Sequence, residues 1–421
     1  MRAPRLDLRI GTVLLLGAGG FAACQSPSSG STSTVPGKCA DLAPTTGAQK
    51  TDILFVIDNS ESMFDKQAAV ARELPAFVQV LQQGAGLQQD FQIGAITTSV
   101  YAQVLYDGGI FYRTYPTQSG KLQPVPDGLA DGGVVLGTGT ERILSGADPL
   151  LVDKFGRLVR VGIYGSGHET PFEATRLATS WWDSVPLTAG GNQGFLRDGA
   201  QLLIVTVMDE DDCSEWSDPS DAGWRPQVYV GVDKNRAPGF IDYCTQQSAN
   251  LTSVDRYYAA FQGLKDSTGA LRTIIWADIG PVSLADKAAV AYEDRDAGTL
   301  RNVDCPNSEG AGYRHRALAL DFDSSLSDLD SICDPSYHDA LVAIAGKAVA
   351  RQSIQVANVP DPGLLRVTIT RGTGVQSACT VANGGITFEV TPSGTEFVHF
   401  HGPCERQITD TGLSLSLLCA G

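Results

Sequence analysis

Two apolar runs that stop at an acid constrain this chain more than any other feature. "ILFVID" at 53–58 and "LLIVTVMD" at 202–209 are nonpolar almost throughout and then end in Asp58 and Asp209. A strand with one wet face alternates apolar and polar residues; a strand apolar along its whole length has no wet face, the pattern of a parallel sheet covered by helices on both sides. "FQIGAITTS" (91–99) and "LRTIIWADI" (271–279) read as further strands, with "YAQVLYD" (101–107) as an antiparallel neighbour of the first. Helical spacing of apolar residues recurs in "MFDKQAAVARELPAFVQVLQQ" (63–83), "TPFEATRLATSWW" (170–182) and "DPSYHDALVAIAGKAVA" (334–350). Pro171 suits a first helical turn, where its missing N–H has no partner to lose. Asp334 or Ser336 suits the start of the last helix as a cap. Strands alternating with helices predict an α/β fold, a doubly wound and mostly parallel sheet with helices on both faces.

The rest of the chain divides by texture. Arg2, Arg5 and Arg9 precede "IGTVLLLGAGGFAA", an apolar core too short to stay in a bilayer as a spanning helix, so residues 1–24 read as an export signal. Phe21-Ala22-Ala23-Cys24 resembles the lipobox of bacterial lipoproteins, which implies cleavage before Cys24 and its acylation; Gln25 after it implies outer-membrane sorting. Residues 25–49 read as a tether, since "QSPSSGSTSTVPG" (25–37) has no apolar face to bury. The α/β domain is expected over 50–355, with inserted rim loops at about 108–160 and 280–330. From 356 to 421, "LLRVTITRG", "GITFEVTP" and "EFVHFHG" are short period-two segments, the mark of a small antiparallel β domain.

Nine cysteines leave eight once Cys24 is set aside, an even number that suits disulfides in an oxidising compartment. Cys213 is expected to pair with Cys244 and Cys305 with Cys333, since each pair brackets one long loop. The balance of 31 basic against 47 acidic residues, a net charge of -16, repels a phosphate backbone and excludes nucleic acid as the expected partner.

In an open parallel sheet, ligands sit outside the carboxyl ends of the strands where the strand order reverses. Asp58 and Asp209 fall at such ends and become neighbours if their strands are the first and fourth of the usual order. Ser60 and Ser62 lie on the loop just after Asp58, and Thr170 on the loop before the next helix. Five side-chain oxygens without His or Cys select a hard cation, Mg²⁺, or Mn²⁺ or Ca²⁺. Two carboxylates and three hydroxyls leave such an ion incompletely neutralised, able to accept an acidic group from a partner. The competing reading is that Asp58 and Ser60 cap the following helix. Glu210, Asp211 and Asp212 read as a solvated acidic rim, and His399 and His401 as exposed strand residues.

"DNSES" (58–62) matches the D-x-S-x-S of the von Willebrand factor A domain. "ETPFEATRLA" resembles that family's G-x-T-P loop and helix, supplying Thr170, and "LLIVTVMDED" resembles its T-D-G strand end, supplying Asp209, with Met208 and Glu210 in place of Thr and Gly. The resemblance covers about residues 50–352, and "GFLRDGAQLLIVTVMDEDDCS" is similar to a stretch of bacterial surface lipoproteins carrying this domain. It implies a metal-ion-dependent adhesion site: Ser60 and Ser62 binding Mg²⁺ directly, Asp58 and Asp209 through water, Thr170 directly in the engaged state, and the sixth position taken by a Glu or Asp of a partner protein.

The resemblance implies binding and not turnover. Ser60 also stands where aspartyl-phosphate-forming phosphatases carry a second Asp, "GSGHE" (165–169) lacks the leading Gly of a nucleophile elbow, and "GTGTER" is no phosphate loop. The expectation is therefore an exported, lipid-anchored protein of the cell envelope, at the outer membrane, that is not an enzyme and binds a protein ligand through its ion. The alternatives are a structural envelope protein whose motif only braces the fold and a metal-dependent hydrolase.

Overall fold

The structure is a computed structural model and describes residues 38–42, 49–87, 89–106, 109–129, 135–136, 139–232, 240–242, 244, 248–288, 292–294, 300–356, 358–390 and 396–419. The expected export segment, Cys24 and the tether stretch 25–37 lie outside the described residues. In chain order the elements are β1 (Lys38–Leu42), β2 (Gln49–Ile57), α1 (Phe64–Gln83), β3 (Gln89–Thr97), β4 (Tyr101–Tyr106), β5 (Gly109–Thr114), the short pair β6 (Gly128–Leu129) and β7 (Val135–Leu136), β8 (Leu144–Ser145), α2 (Leu151–Leu158) and α3 (Pro171–Arg176). Then follow β9 (Gln201–Val207), β10 (Val230–Val232), β11 (Phe240–Asp242), α4 (Val254–Gln262), β12 (Ile274–Gly280), the pair β13 (Tyr292–Asp294) and β14 (Leu300–Asn302), α5 (Tyr313–Asp321), β15 (Ser327–Ser331) and α6 (His338–Val349). The C-terminal strands are β16 (Ser353–Val356), β17 (Leu365–Thr370), β18 (Gln376–Thr380), β19 (Ile386–Val390), β20 (Glu396–Phe400) and β21 (Gly412–Leu418).

A mixed α/β arrangement results, built on a six-stranded sheet of order β15-β12-β9-β2-β3-β8 in which only the β3–β8 pairing is antiparallel. The unbroken apolar runs have the physical cause the sequence suggests: successive residues of a strand point to opposite faces, and both faces are covered. Ile53, Phe55 and Ile57 pack with residues of α1, α2 and α6, whereas Leu54 and Val56 pack with residues of α3, α4 and α5. Phe55 meets Phe77 at 5.6 Å and Phe155 at 5.0 Å between ring centroids on its side; Phe172 meets Trp276 at 5.6 Å on the other. Offset and edge-on ring contacts of this kind add about 1 kcal/mol each to what burial supplies.

Several expectations need correction. β4 does not pair with β3: it pairs with β5 and β10 in a separate four-stranded sheet, because the outer edge of β3 is taken by β8. The stretch 108–160 is not wholly a rim loop, for Leu144, Leu151, Phe155 and Leu158 are buried in the core beside Phe55. Residues 280–330 likewise include α5 and the edge strand β15. The tether ends earlier than residue 49, since β1 pairs antiparallel with β21.

The C-terminal strands form two antiparallel sheets, β1-β21-β17-β18 and β16-β20-β19, whose inward residues, among them Ile354, Leu365, Val367, Val398 and Leu415, share one core. This β unit packs against the far end of α1. Gly84 closes that helix with a left-handed φ of 65°, Arg406 Nη2 donates to the Ala85 carbonyl at 2.7 Å, and a Cβ on Gly86 would lie 2.4 Å from the Gly412 nitrogen. Disulfides join Cys213 to Cys244, Cys305 to Cys333 and Cys379 to Cys404, so both expected pairs form, and Cys419 is also disulfide-bonded. Among the described residues no helix is long and apolar enough to cross a membrane.

Candidate metal centre at the carboxyl ends of the central strands

β2 and β9 are adjacent parallel strands, with Ile57 opposite Val207, and the Asp58 N–H donates to the Val207 carbonyl at 3.0 Å. The chain leaves β2 toward β3 on one side and β9 lies on the other, so the order reverses here and opens a crevice. Asp58 turns the chain by accepting the Ser60 N–H on Oδ1 at 2.7 Å. The hydroxyls do not cap the helix: neither the 3₁₀ turn Glu61–Met63 nor α1 has a side-chain cap bond. Instead Ser60 Oγ and Ser62 Oγ lie 2.9 Å apart, and Ser62 Oγ donates to Asp209 Oδ1 at 3.0 Å. Four of the five expected oxygen donors are thus joined in one chain of contacts, with Asp58 and Asp209 fully buried and Ser62 facing solvent.

Thr170, also fully buried, reaches the same rim through the backbone. Its N–H and its Oγ both donate to the Thr98 carbonyl, at 3.1 and 2.8 Å, and the Thr98 N–H donates to Ile57 at 3.2 Å. A hydroxyl that spends its proton on a carbonyl keeps its lone pairs. The loop carrying Thr170 is pinned to the loop carrying the serines: Gly165 N–H donates to Asn59 O at 2.7 Å, Ser166 N–H to Ser99 Oγ at 2.8 Å, and Ser99 Oγ to Asn59 Oδ1 at 2.8 Å. The approach requires glycine, since a Cβ at Gly165 would lie 2.2 Å from Asn59 Oδ1.

Two side chains passed over in the sequence belong to this rim. Lys66, in the first turn of α1, donates from Nζ to Asp209 Oδ2 at 2.6 Å and to the Ser62 carbonyl at 3.1 Å. Glu169 is fully buried with neither carboxyl oxygen hydrogen-bonded, and Asp58 Oδ2 is likewise buried without a partner. Burial, and then the neighbouring Asp209 carboxylate, push the Asp58 carboxyl up to about 8. Burial, followed by Glu210, Asp58 and Asp209, holds the Glu169 carboxyl well above its ordinary value. A position adjoining Thr170 in a short loop was the only sequence signal for Glu169, and nothing in its neighbours' types marked it.

Two of the acids after Asp209, Asp211 and Asp212, are buried and not part of a solvated rim. Asp211 accepts the Tyr313 and Arg314 N–H groups at the start of α5, at 2.9 and 3.1 Å. Asp212 is fully buried and pairs with Arg314 Nε at 2.7 Å. Both are inward because the loop after β9 packs against α5: the Glu309 and Gly310 N–H groups donate to the Asp209 carbonyl at 2.8 and 3.1 Å.

The donor chemistry fits a small hard cation. Each of the five expected ligands offers oxygen, and buried carboxyl oxygens without partners are groups a cation would satisfy. Such an ion needs the serine hydroxyls as well as the acids. Among the described residues the single trio of His, Cys, Asp or Glu ligand atoms lying within 4.8 Å of one another is His168, Cys213 and Cys244, whose sulfurs are joined to each other.

No protein-family profile matches the chain, and no curated protein matches it. Solved structures aligned with it include the pilus adhesin SpaC from Lactobacillus rhamnosus GG in two structures, at 11% and 12% identity, TM-scores of 0.33 and 0.34, and 89% of this chain against 40% and 39% of SpaC. Proximal thread matrix protein 1 from the mussel byssus aligns at 11% identity and a TM-score of 0.28, over 74% of this chain and 50% of that one. The chain therefore spans half or less of the length of these structures, and likeness at this level carries no argument about function.

Proposed function

We propose that this protein is an adhesion-type binding protein of the cell envelope, with a von Willebrand factor A fold that binds a protein ligand through a divalent ion. Asp58, Ser60, Ser62, Thr170 and Asp209 would hold the ion, Mg²⁺ or else Mn²⁺ or Ca²⁺, with the buried Glu169 carboxyl beside them. The ion, when bound, supplies an electrophilic position that a partner's Glu or Asp can occupy. The observation that carries the reading is the convergence of Asp58, Ser60, Ser62 and Asp209 at the strand-order reversal, with Asp58 Oδ2 and both Glu169 oxygens buried and unpartnered. Buried acids so arranged are costly unless protonated or matched by a cation. The reading is of binding and not of turnover. An N-terminal lipid at Cys24, with outer-membrane placement, belongs to the same proposal.

The Lys66–Asp209 ion pair favours a second reading, a structural envelope protein in which an ammonium braces the loops and no metal enters. Calorimetric titration of Mg²⁺ and Mn²⁺ into the purified protein separates the two, run beside Ser60→Ala/Ser62→Ala with its fold checked by circular dichroism. Saturable binding lost in the double variant supports the adhesion site. Absence of binding in both sinks it and leaves the ammonium-braced structure.

A further inference from the structure

Lys66 is a basic group at the rim that the adhesion-site pattern does not use. It stands in the first turn of α1, where the aligned backbone N–H groups disfavour a cation. Its ammonium nevertheless turns back over the preceding turn to Asp209, 2.6 Å away, and to the Ser62 carbonyl, 3.1 Å away. Asp209 is fully buried, and the Lys66 side chain is 15% exposed, so the pair is mostly out of water on one side and open on the other. The same Asp209 also accepts from Ser62 on its other oxygen, which places the ammonium among the groups that would hold the ion.

From this geometry we infer that Lys66 is a tethered counter-cation of the metal centre: it neutralises Asp209 in the metal-free protein and is displaced when a divalent ion binds. The inference rests on the metal reading above. A divalent ion gathers Asp209 together with the hydroxyls and Asp58, whereas the ammonium can reach only the outer oxygen of Asp209 and a carbonyl. Exchange therefore favours the ion, yet each binding event must first break the 2.6 Å pair. Once released, the ammonium has no second acid bonded to it among its described contacts, and its side chain, already 15% exposed, can turn toward solvent. Metal occupancy would thus bring out a positive group for an acidic partner at the moment the ion becomes available to it.

The test combines affinity with chemical exposure. Mg²⁺ is titrated calorimetrically into the wild-type protein, Lys66→Met, which keeps most of the stem's volume without charge, and Lys66→Arg, which keeps the charge. Separately, acetylation of Lys66 by an N-hydroxysuccinimide ester is followed by mass spectrometry with and without Mg²⁺. The expected results are about tenfold tighter Mg²⁺ binding for Lys66→Met, near wild-type binding for Lys66→Arg, and faster Lys66 acetylation in Mg²⁺ that disappears in Ser60→Ala/Ser62→Ala. Wild-type Mg²⁺ binding with no change in Lys66→Met and no change in acetylation overturns the counter-cation role while leaving the metal reading intact. Absence of Mg²⁺ binding in the wild type and in Lys66→Met overturns both, and makes Lys66 a permanent brace.

Discussion

At the scale of single residues, the site is an arrangement of acids that repel one another and are held together by the fold. Asp58 shows the consequence most directly. Its carboxyl is fully buried and, through burial and then the Asp209 charge, is pushed up to about 8. In the unfolded chain the same group titrates near 4, at roughly the model-peptide value. Between those values the native protein holds a proton that the unfolded chain has released, so stability is fully present below about pH 4 and is lost as pH rises toward about 8. Glu169, raised by burial and by its acidic neighbours, acts in the same direction. Urea denaturation in EDTA is therefore expected to show the wild-type protein less stable at pH 8 than at pH 5, by about 1 kcal/mol or more. Asp58→Asn flattens the difference, and saturating Mg²⁺ reduces it, because an ion can balance the charge that the proton otherwise removes. A pH profile unchanged by Asp58→Asn would show that this carboxyl ionises freely and that the crowding of acids has no thermodynamic effect.

At the scale of elements, what could be read from sequence was whatever repeats locally. The runs at 53–57 and 202–208 announced strands covered on two faces, and their terminal acids announced one end of a sheet, because strand and helix periods are written residue by residue. The pairing partner of β4 could not be read, since it depends on β8 arriving from about fifty residues later to occupy the edge of β3. The amphipathic α2 lay hidden in a stretch whose flanks are rich in Gly and Pro. The roles of Asp211 and Asp212 were equally invisible, as a run of four acids looks like a wet surface until α5 brings Arg314 against it. That difference has a measurable size. A true rim acid replaced by Ala changes stability by about 0.5 kcal/mol or less. Asp212→Ala, which strands a guanidinium only 7% exposed, is expected to cost about 3 kcal/mol in urea denaturation. A cost within the surface range would mean that Arg314 finds water or another acid, and that the loop after β9 is looser than its contacts indicate.

At the scale of the whole molecule, α1 sets the distance between the two working ends. It starts beside Ser62 at the site and ends at Gly84, against the β unit; its 20 residues span about 30 Å. The first described strand, β1, is paired with β21 in that same unit, so residue 38 belongs to the β unit and not to the rim that carries Asp58 and Asp209. The disulfides divide along the same axis and give the arrangement a test. Cys379–Cys404 and Cys305–Cys333 close loops of nearly equal separation, 25 and 28 residues, so the entropy each removes from the unfolded chain is nearly the same, about 3 kcal/mol. Their places differ: the first lies in the β unit, while the second brackets the loop whose Glu309 and Gly310 N–H groups hold the Asp209 carbonyl. Replacing either pair by Ser should lower stability by a similar amount. Only Cys305→Ser/Cys333→Ser should also weaken Mg²⁺ binding, by about tenfold, since an Asp209 no longer held by its carbonyl must be ordered again when the ion binds. Equal losses of Mg²⁺ affinity from the two replacements would show that the β unit, 30 Å of helix away by the same rough estimate, is mechanically part of the site.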